Sequence, residues 1–255
     1  MYKHCEVCLG DKSTPIAKLT VTQWPVVRCE ACGFVYLGDT PEYAELADEL
    51  AWEKSFEKEK ARRNEKLLGR LNSATRWRLS LGKDHRRIAR FVSVAGNVLD
   101  IGCGGRCRVP PGPTPFGIEI SDVLAARAQD AFAARGGHVV HAPALEGLEA
   151  FPENFFSAML MRSFLEHEKQ PRAVLQRARA CLKPGGSVYV RVPDYGSINR
   201  RVMGVRWCGF RFPDHVNYFS EGTLKRLAEA VGFTYRRLNR LSVFDDNLIV
   251  VLAKA

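Results

Sequence analysis

The stretch VLDIGCGG at residues 98–105 decides the fold. Its first half is an apolar run that predicts a buried strand, and its second half is a glycine-rich turn. Further apolar runs at 116–121, 138–142, 155–163 and 187–193 alternate with helical patterns. Continuous apolar strands separated by helices predict an α/β fold, with a parallel sheet covered on both faces. The last two runs, 235–244 and 247–255, have no helix between them and predict an antiparallel hairpin at one edge.

The glycine-rich turn is the predicted ligand site, because ligands of such sheets bind at the carboxyl ends of the strands. Gly102 and Gly104 would let a ligand approach the backbone, and the carboxylate of Asp100 lies beside them. A dinucleotide fingerprint needs a third glycine, and its position holds Cys107, which disfavours NAD. The second strand ends at Glu119, an acceptor placed for both hydroxyls of a ribose. We expect the next residue, Ile120, to lie against the base.

Four of the eight cysteines have the spacing of a metal site. Two C-x-x-C pairs separated by twenty residues predict a structural zinc ion held by four thiolates, which are Cys5, Cys8, Cys29 and Cys32. We expect a positive φ at Gly10 and Gly33, which follow the two knuckles. Reduced free thiols are the alternative, but they would leave residues 1–40 with little to hold them together.

The composition is that of a globular protein. The 255 residues are 46% hydrophobic and 26% charged, with a formal net charge of +10. These values exclude disordered, collagen-like and coiled-coil chains. No stretch approaches the ~18 apolar residues that a membrane span needs, and the N-terminus lacks the apolar core of a signal peptide. We therefore expect a cytoplasmic protein with reduced cysteines.

The chain divides into three predicted regions: a zinc ribbon (1–40), a helical connector (41–95) and the α/β domain (96–255). The connector holds seven acidic and two basic side chains over 41–59, then eleven basic and two acidic over 60–90. Acids early and bases late suit a solvated helix. The other interpretation is a basic face for an anionic substrate or for RNA, with Trp77 available for stacking.

These motifs together resemble the class I S-adenosylmethionine-dependent methyltransferases, most closely the branch with an N-terminal zinc ribbon. The matching segments are VLDIGCGG (98–105), GIEIS (117–121), FFSAMLMRSFLEH (155–167), LKPGGSVYVRVP (182–193) and DHVNYFSEGTLKRLAEAVGF (214–233). The resemblance implies a Rossmann-like sheet with helices on both faces. It also implies a set of cofactor-binding residues: Asp100, Gly102 and Gly104 at the methionine end, Glu119 at the ribose, Leu145 and Glu146 near the adenine, and Arg162 and Ser163 along the floor.

The segment RCRVPPGPTPF (106–116) departs from the family pattern. Arg106 stands where the family has its third glycine, and an arginine near a sulfonium is repulsive unless it turns toward the carboxylate. Four prolines cannot form a regular helix, so the helix that follows the turn in the family is predicted to be missing or reduced to a loop. Weakened or partner-completed cofactor binding and a pseudoenzyme are the two alternatives that this departure raises.

Two histidines are candidates for the base that an oxygen or carbon acceptor requires. His167 lies in SFLEH after the fourth strand, and His215 lies in FPDHVNYF. Asp214, His215 and Tyr218 resemble the acid–histidine pair and tyrosine of sugar C-methyltransferases that carry zinc ribbons. An acidic neighbour is expected to raise the pKa of His215 toward that of a useful base. A purely structural role is the alternative for both histidines.

The favoured function is methyl transfer to oxygen or carbon of a small acceptor such as a sugar, nucleotide-sugar or natural-product intermediate. An anionic acceptor would suit the basic excess. Trp207, Phe210 and Phe212 could line an acceptor pocket or equally form core. The alternatives are an RNA methyltransferase that uses the ribbon and basic connector, and a non-catalytic binding module on the same fold. Against RNA, no base-specific N-P-P-[YF] loop follows the fourth strand, where MRSFLEH stands.

Overall fold

The computed structural model describes residues 3–19, 24–40, 86–92, 96–240 and 245–255. Most of the predicted connector, including Trp77, lies outside the described residues. Its last described part, 86–91, is helical, and Ile88 and Val92 are buried there. In chain order the strands are β1 (Ser13–Pro15), β2 (Val26–Cys29), β3 (Val35–Leu37), β4 (Asn97–Ile101), β5 (Thr114–Glu119), β6 (Val139–His141), β7 (Phe156–Arg162), β8 (Leu182–Pro193), β9 (Asn217–Tyr218), β10 (Phe233–Arg237) and β11 (Asn247–Lys254). From residue 96 onward, the α-helices of the described residues are α1 (Asp122–Ala133), α2 (Ala144–Glu149), α3 (Pro171–Cys181), α4 (Ile198–Met203) and α5 (Glu221–Ala230).

A seven-stranded sheet forms the centre, in the order β10-β11-β8-β7-β4-β5-β6. Strands β4 to β8 pair in parallel, while β11 pairs antiparallel with both β8 and β10. The predicted α/β sheet and its antiparallel edge hairpin are therefore confirmed. Side chains on both faces of the middle strands are fully buried, as in Leu99, Asp100, Ile101, Met159 and Leu160. This burial on two faces explains why these strands appear as continuous apolar runs.

Helix α3 ends earlier than the sequence pattern predicts. The run QPRAVLQRARACLKPGG (170–186) predicts a helix stopped by Pro184 and the glycine pair, but the helix ends at Cys181 and Leu182 is already extended, with φ −76° and ψ 140°. Lys183 to Gly186 instead form the start of the long strand β8. The pairing of β7 with β8 shifts register between Phe156 and Ala158, which accommodates this irregular beginning.

A second, four-stranded sheet joins the N-terminal segment to the late part of the chain. Its order is β1-β2-β3-β9, and Val35 and Tyr36 of β3 pair with β9. Arg172 of α3 donates hydrogen bonds to the carbonyl oxygens of Glu6 at 2.8 Å and Val7 at 2.6 Å. The described N-terminal residues, 3–19 and 24–40, are thus held to β9 by backbone pairing and to α3 by the half-buried Arg172.

Candidate cofactor and active site

Asp100 lies at the carboxyl end of β4, at the centre of the sheet edge where the sequence places the ligand. Its side chain is 1% exposed, and Oδ2 has no hydrogen-bond partner among the described residues. Gly102 and Gly104 follow with φ of +68° and +63°, a backbone conformation that favours glycine. A Cβ on Gly102 would lie 3.3 Å from the ring of Phe164. Both glycines are therefore required by the conformation of the turn.

Arg108 and Arg162 are the cations that act on Asp100. Burial raises the pKa of the Asp100 carboxyl to about 6, and the two guanidinium groups oppose this rise. Arg108 donates to the carbonyl oxygen of Cys103 at 3.4 Å, and a Cβ on Gly104 would lie 4.0 Å from both of its terminal nitrogens. Arg106, the arginine expected near the cofactor, is exposed. Arg108 and Arg162, rather than Arg106, therefore carry the positive charge that acts on Asp100, because the path of the loop decides which arginine turns inward.

Glu119 is fixed by two backbone donors. Its Oε2 accepts from the Gly104 N–H at 2.8 Å, and its Oε1 accepts from the Ser121 N–H at 3.0 Å. Each carboxylate oxygen can accept a second hydrogen bond, so both retain capacity for a ligand. The side chain therefore connects the glycine-rich turn to the end of β5.

The loop between β4 and β5 contains no helix, as the prolines predict. Arg135, just beyond α1, holds this loop in place. Its guanidinium donates to the carbonyl oxygens of Val109 at 2.7 Å, Pro110 at 2.5 Å and Pro113 at 3.0 Å. One arginine therefore satisfies three carbonyls that a helix would otherwise have paired. Nothing in the sequence distinguishes Arg135 from Arg127 in the preceding helix.

The remaining predicted cofactor residues lie at the same edge of the sheet. Ile120 follows β5 and is 43% exposed, which leaves its side chain available to a ligand. Leu145 and Glu146 form the first turn of α2, which packs closely on β5. Arg162 ends β7, and Ser163 after it has φ +52° and donates its N–H to the carbonyl of Arg191 at 2.8 Å. Their roles toward a cofactor remain predictions.

The four N-terminal cysteines form one cluster. All four sulfur atoms lie within 4.8 Å of one another, with Sγ–Sγ distances of 3.5 Å for Cys5–Cys32 and for Cys8–Cys29. Tetrahedral zinc with ordinary Zn–S bonds requires sulfur separations of about 3.8 Å. Gly33 has the expected positive φ of +73°, but in the first knuckle it is Leu9, with φ +61°, rather than Gly10 that adopts this conformation. The cluster therefore fits a zinc ion with small adjustments.

His167 and His215 meet at the edge of the sheet, with ring centroids 4.6 Å apart. The backbone at the start of β9 brings them together, because the N–H groups of Val216 and Asn217 both donate to the carbonyl oxygen of Glu166. His167 Nδ1 is 2.7 Å from the carbonyl oxygen of Asp214, and His215 Nδ1 is 2.8 Å from that of Gly209. A carbonyl oxygen only accepts, so each Nδ1 carries the proton and each neutral ring presents a lone pair at Nε2.

The expected rise in the pKa of His215 is wrong. Burial lowers the pKa of His215 well below its usual value, and burial lowers that of His167 to about 4. The carboxylate of Asp214 forms an ion pair with Arg211 at 3.4 Å, and its backbone carbonyl meets His167. Both rings are consequently neutral at physiological pH. Beside them, burial raises the pKa of Glu166 to about 8, and its Oε2 has no partner among the described residues.

An aromatic cluster, made of Tyr195, Trp207, Phe210, Phe212 and Tyr218, lies beyond the end of β8. Trp207 and Tyr218 are each 2% exposed, which supports the core interpretation of Trp207, whereas Phe210 and Phe212 are half-buried. Trp207 Nε1 and the Tyr218 hydroxyl have no hydrogen-bond partner among the described residues. Burial raises the pKa of Tyr218, so its hydroxyl stays protonated and can donate.

Sequence comparison identifies the family. The family described as "Methyltransferase domain" matches residues 62–238, and the chain belongs to it. With the seven-stranded sheet, this confirms the resemblance to class I S-adenosylmethionine-dependent methyltransferases. A search of curated proteins found no match to the sequence. Among the described residues, no helix has both the length and the apolar character to cross a membrane.

Solved structures share the fold at low sequence identity. A SAM-dependent methyltransferase from Archaeoglobus fulgidus superimposes with a TM-score of 0.54 at 16% identity, covering 68% of this chain and 92% of that one. A possible histamine N-methyltransferase from Thermotoga maritima gives 0.51 at 21% identity, covering 72% and 96%. Phosphoethanolamine N-methyltransferase 2 from Haemonchus contortus, in complex with S-adenosyl-L-methionine, gives 0.52 at 17% identity, covering 68% and 52%. These likenesses concern the fold alone.

Proposed function

We propose that this chain is an S-adenosylmethionine-dependent methyltransferase that acts on oxygen or carbon of a small, anionic acceptor. The observation that carries the proposal is the buried carboxylate of Asp100 with its unpartnered Oδ2. A buried charge without a partner is costly, and a cationic ligand with N–H donors removes that cost. The ammonium group at the methionine end of the cofactor is cationic and carries N–H donors. A pyrophosphate offers neither.

The residues of the turn fit the cofactor in three further respects. Gly102 and Gly104 allow close approach of a ligand to the backbone. Glu119, held by two N–H groups, can accept from the hydroxyls of a ribose. Arg108 can turn from the Cys103 carbonyl toward the cofactor carboxylate, which would relieve its repulsion with Arg162. When bound, the cofactor supplies an electrophilic methyl group, and this chain's residues orient it toward the acceptor.

The surroundings of Tyr195 support a small anionic acceptor. Tyr195 follows the end of β8, and the guanidinium of Arg200 lies 3.9 Å from its ring centroid. Arg200 also donates to the Tyr195 hydroxyl. Helix α4 carries Arg201 as well, and Arg206 follows it. Tyr195 itself is buried, so the support is the positive charge of these guanidinium groups, which suits an acceptor that carries a phosphate or carboxylate.

The proposal includes a structural zinc ion on the four N-terminal cysteines, in keeping with the zinc-ribbon branch. Four thiolates are a closed ligand set, which gives the metal a structural role. The support is the 3.5 Å sulfur separations in two of the pairs. Metal analysis of purified protein is expected to find zinc, and replacement of Cys29 by Ser is expected to release it.

Calorimetric titration of S-adenosylmethionine tests the cofactor site. We expect saturable binding to the wild-type protein and a loss of affinity of about tenfold or more in Asp100→Asn, because a charge-assisted hydrogen bond contributes about 1.5–3 kcal/mol. Asp130→Asn, an exposed change on α1, is the matched control and is expected to bind normally. Absence of binding to the wild-type protein at millimolar cofactor would overturn the proposal and leave a non-catalytic module.

The acceptor class has its own test. Cofactor-loaded protein is incubated with nucleotide-sugars and with phosphorylated or carboxylated aromatic compounds, and products heavier by one methylene are sought by mass spectrometry. We expect product formation to fall when Arg200 is replaced by Met, while cofactor affinity stays unchanged. Equal product with neutral and anionic acceptors would contradict the anionic part of the proposal.

A further inference from the structure

We infer that Glu166, His167 and His215 form a binding site for a divalent transition-metal ion, separate from the four-cysteine cluster. A carboxylate oxygen of Glu166 and one nitrogen of each histidine all lie within 4.8 Å of one another. The three side chains come from two segments that β9 ties together. Two imidazoles and one carboxylate are a ligand set that proteins use for zinc and iron(II).

The hydrogen bonds of the two histidines match those of metal ligands. Each Nδ1 donates to a backbone carbonyl, at 2.7 Å for His167 and 2.8 Å for His215. Such outer bonds are what fixes the tautomer and ring orientation of metal-bound histidines, and they leave Nε2 as the ligand atom. The carbonyls come from Asp214 and Gly209, so the polypeptide itself orients both rings. The sequence suggests His167 and His215 as candidate bases. In the metal site that we infer, they act as ligands instead.

Glu166 would release its proton when a metal ion binds and would then supply the negative charge that such a site requires. Its side chain is 1% exposed and its Oε2 has no hydrogen-bond partner among the described residues. Nearly all buried polar atoms are satisfied in native proteins, so an unpartnered carboxylate oxygen beside two lone pairs indicates a missing cation. Its main-chain carbonyl is occupied by Val216 and Asn217, which fixes the residue in position.

The geometry and the surrounding charges both permit a cation. Metal bonds of ordinary length place ligand atoms about 3.4 Å apart, so small side-chain rotations close the site around an ion. The cations that face Glu166 are Arg191 and Arg211. Arg211 also faces both histidines, but it is ion-paired with the Asp214 carboxylate at 3.4 Å. The positive charges near the site are therefore partly offset.

Three protein ligands leave a coordination position open. Glu166 and His167 follow the end of β7, at the edge of the sheet where the proposed cofactor binds, so an oxygen of the acceptor is the group suited to that position. This last step rests on the proposed function, whereas metal binding does not.

The metal content of the full chain tests the site. Protein equilibrated with zinc and desalted is expected to hold one zinc more per chain than Glu166→Gln or His215→Gln, both of which nearly preserve side-chain volume. Loss of a direct ligand is expected to weaken zinc binding by more than about 100-fold, since even outer-shell changes cost 10–100-fold. Glu149→Gln, an exposed change in α2, is the matched control and should retain the second zinc.

Cobalt(II) reports the ligand type without any substitution. Added to protein whose cysteine cluster already holds zinc, it is expected to give a visible spectrum without thiolate-to-cobalt charge transfer. Acetohydroxamate, a bidentate oxygen ligand, should shift that spectrum if a coordination position is open. An unchanged spectrum would contradict the open position.

Two results would overturn the metal site itself. One is a wild-type protein with no metal beyond the cysteine cluster, and the other is an equal second zinc in all variants. Cofactor titration of Glu166→Gln keeps the two proposals apart. Normal cofactor affinity with lost zinc supports both of them, and absent cofactor affinity in every protein overturns only the methyltransferase function.

Discussion

Asp100→Asn is predicted to stabilise the cofactor-free protein while it damages cofactor binding. Burial raises the folded-state pKa of Asp100 to about 6 from an ordinary value of 3.8, so the folded protein holds this proton more tightly than the unfolded chain does. The stability that this group contributes is therefore present at low pH and is lost as the pH rises through about 4 to 6. Asparagine keeps the shape of the neutral acid and cannot ionise.

The size of the effect follows from the two pKa values. Their difference corresponds to about 3 kcal/mol at neutral pH, because one pKa unit equals about 1.4 kcal/mol. Around pH 5 the carboxyl is mostly protonated in the folded protein, and the same relation leaves about half of this difference. The expected gain of Asp100→Asn over the wild type thus grows from about pH 5 to about pH 7 and then levels off.

Urea unfolding of both proteins between about pH 5 and pH 8 measures this gain. Only the difference between them is interpreted, which cancels the effect of pH on the cysteine cluster. Asp130→Asn should show no difference from the wild type at any pH. A variant that is less stable than the wild type at neutral pH, or a difference that does not change with pH, would refute the assignment of Asp100 as a buried, unpaired charge. Cofactor titrations on the same samples should show the opposite order, with the wild type binding more tightly as the pH rises.

Three other perturbations test the neighbouring structure. Arg135→Lys should lower the free energy of unfolding by about 1–3 kcal/mol and weaken cofactor binding, because lysine cannot reach three loop carbonyls at once; equal urea midpoints would contradict this. Gly104→Ala should lower the free energy of unfolding by about 1–2 kcal/mol because of the positive φ at this position, as measured by urea unfolding. Gly222→Ala in α5 is the control and should not lower it. Removal of the proposed zinc ion by a chelator should lower the thermal midpoint of unfolding and expose Tyr36 and Phe34 to solvent. Fluorescence and hydrogen exchange measure that exposure. An unchanged midpoint would show that the cysteine cluster does not contribute to stability.

The large sheet was predictable because burial on two faces imposes a continuous apolar pattern on each parallel strand. The sequence VLDIG alone indicates β4, and the turn glycines at 102 and 104 have the positive φ that such a turn needs. The loss of the helix after β4 was also predictable, since proline lacks the N–H that a helix requires. These features depend on local chemistry.

The errors concern side chains whose partners are distant or whose direction depends on irregular backbone. Asp214 and His215 are adjacent, but in irregular chain neighbouring side chains diverge, and the carboxylate reaches Arg211 instead. Arg108 and Arg135 gain their roles from the path of a proline-rich loop that no periodicity describes. The sequence shows Glu166 next to His167 in the FLEH segment. It does not indicate that Glu166 is buried near His215 or that its Oε2 lacks a hydrogen-bond partner among the described residues.

The pairing of β3 with β9 also escaped prediction, because a strand of two residues has no periodicity. Its partners, Tyr36 and Asn217, are separated by most of the chain. During synthesis at 5–20 residues per second, β3 would leave the ribosome roughly 10–40 s before β9. Over this interval β3 has an open edge that can pair with other chains. All four cysteines precede β3 in the chain, so the proposed zinc site can form first and would hold β3 in its folded conformation until β9 is synthesised. Because β1 to β3 are synthesised first, β3 would serve as the template against which β9 and the neighbouring part of the proposed active site assemble.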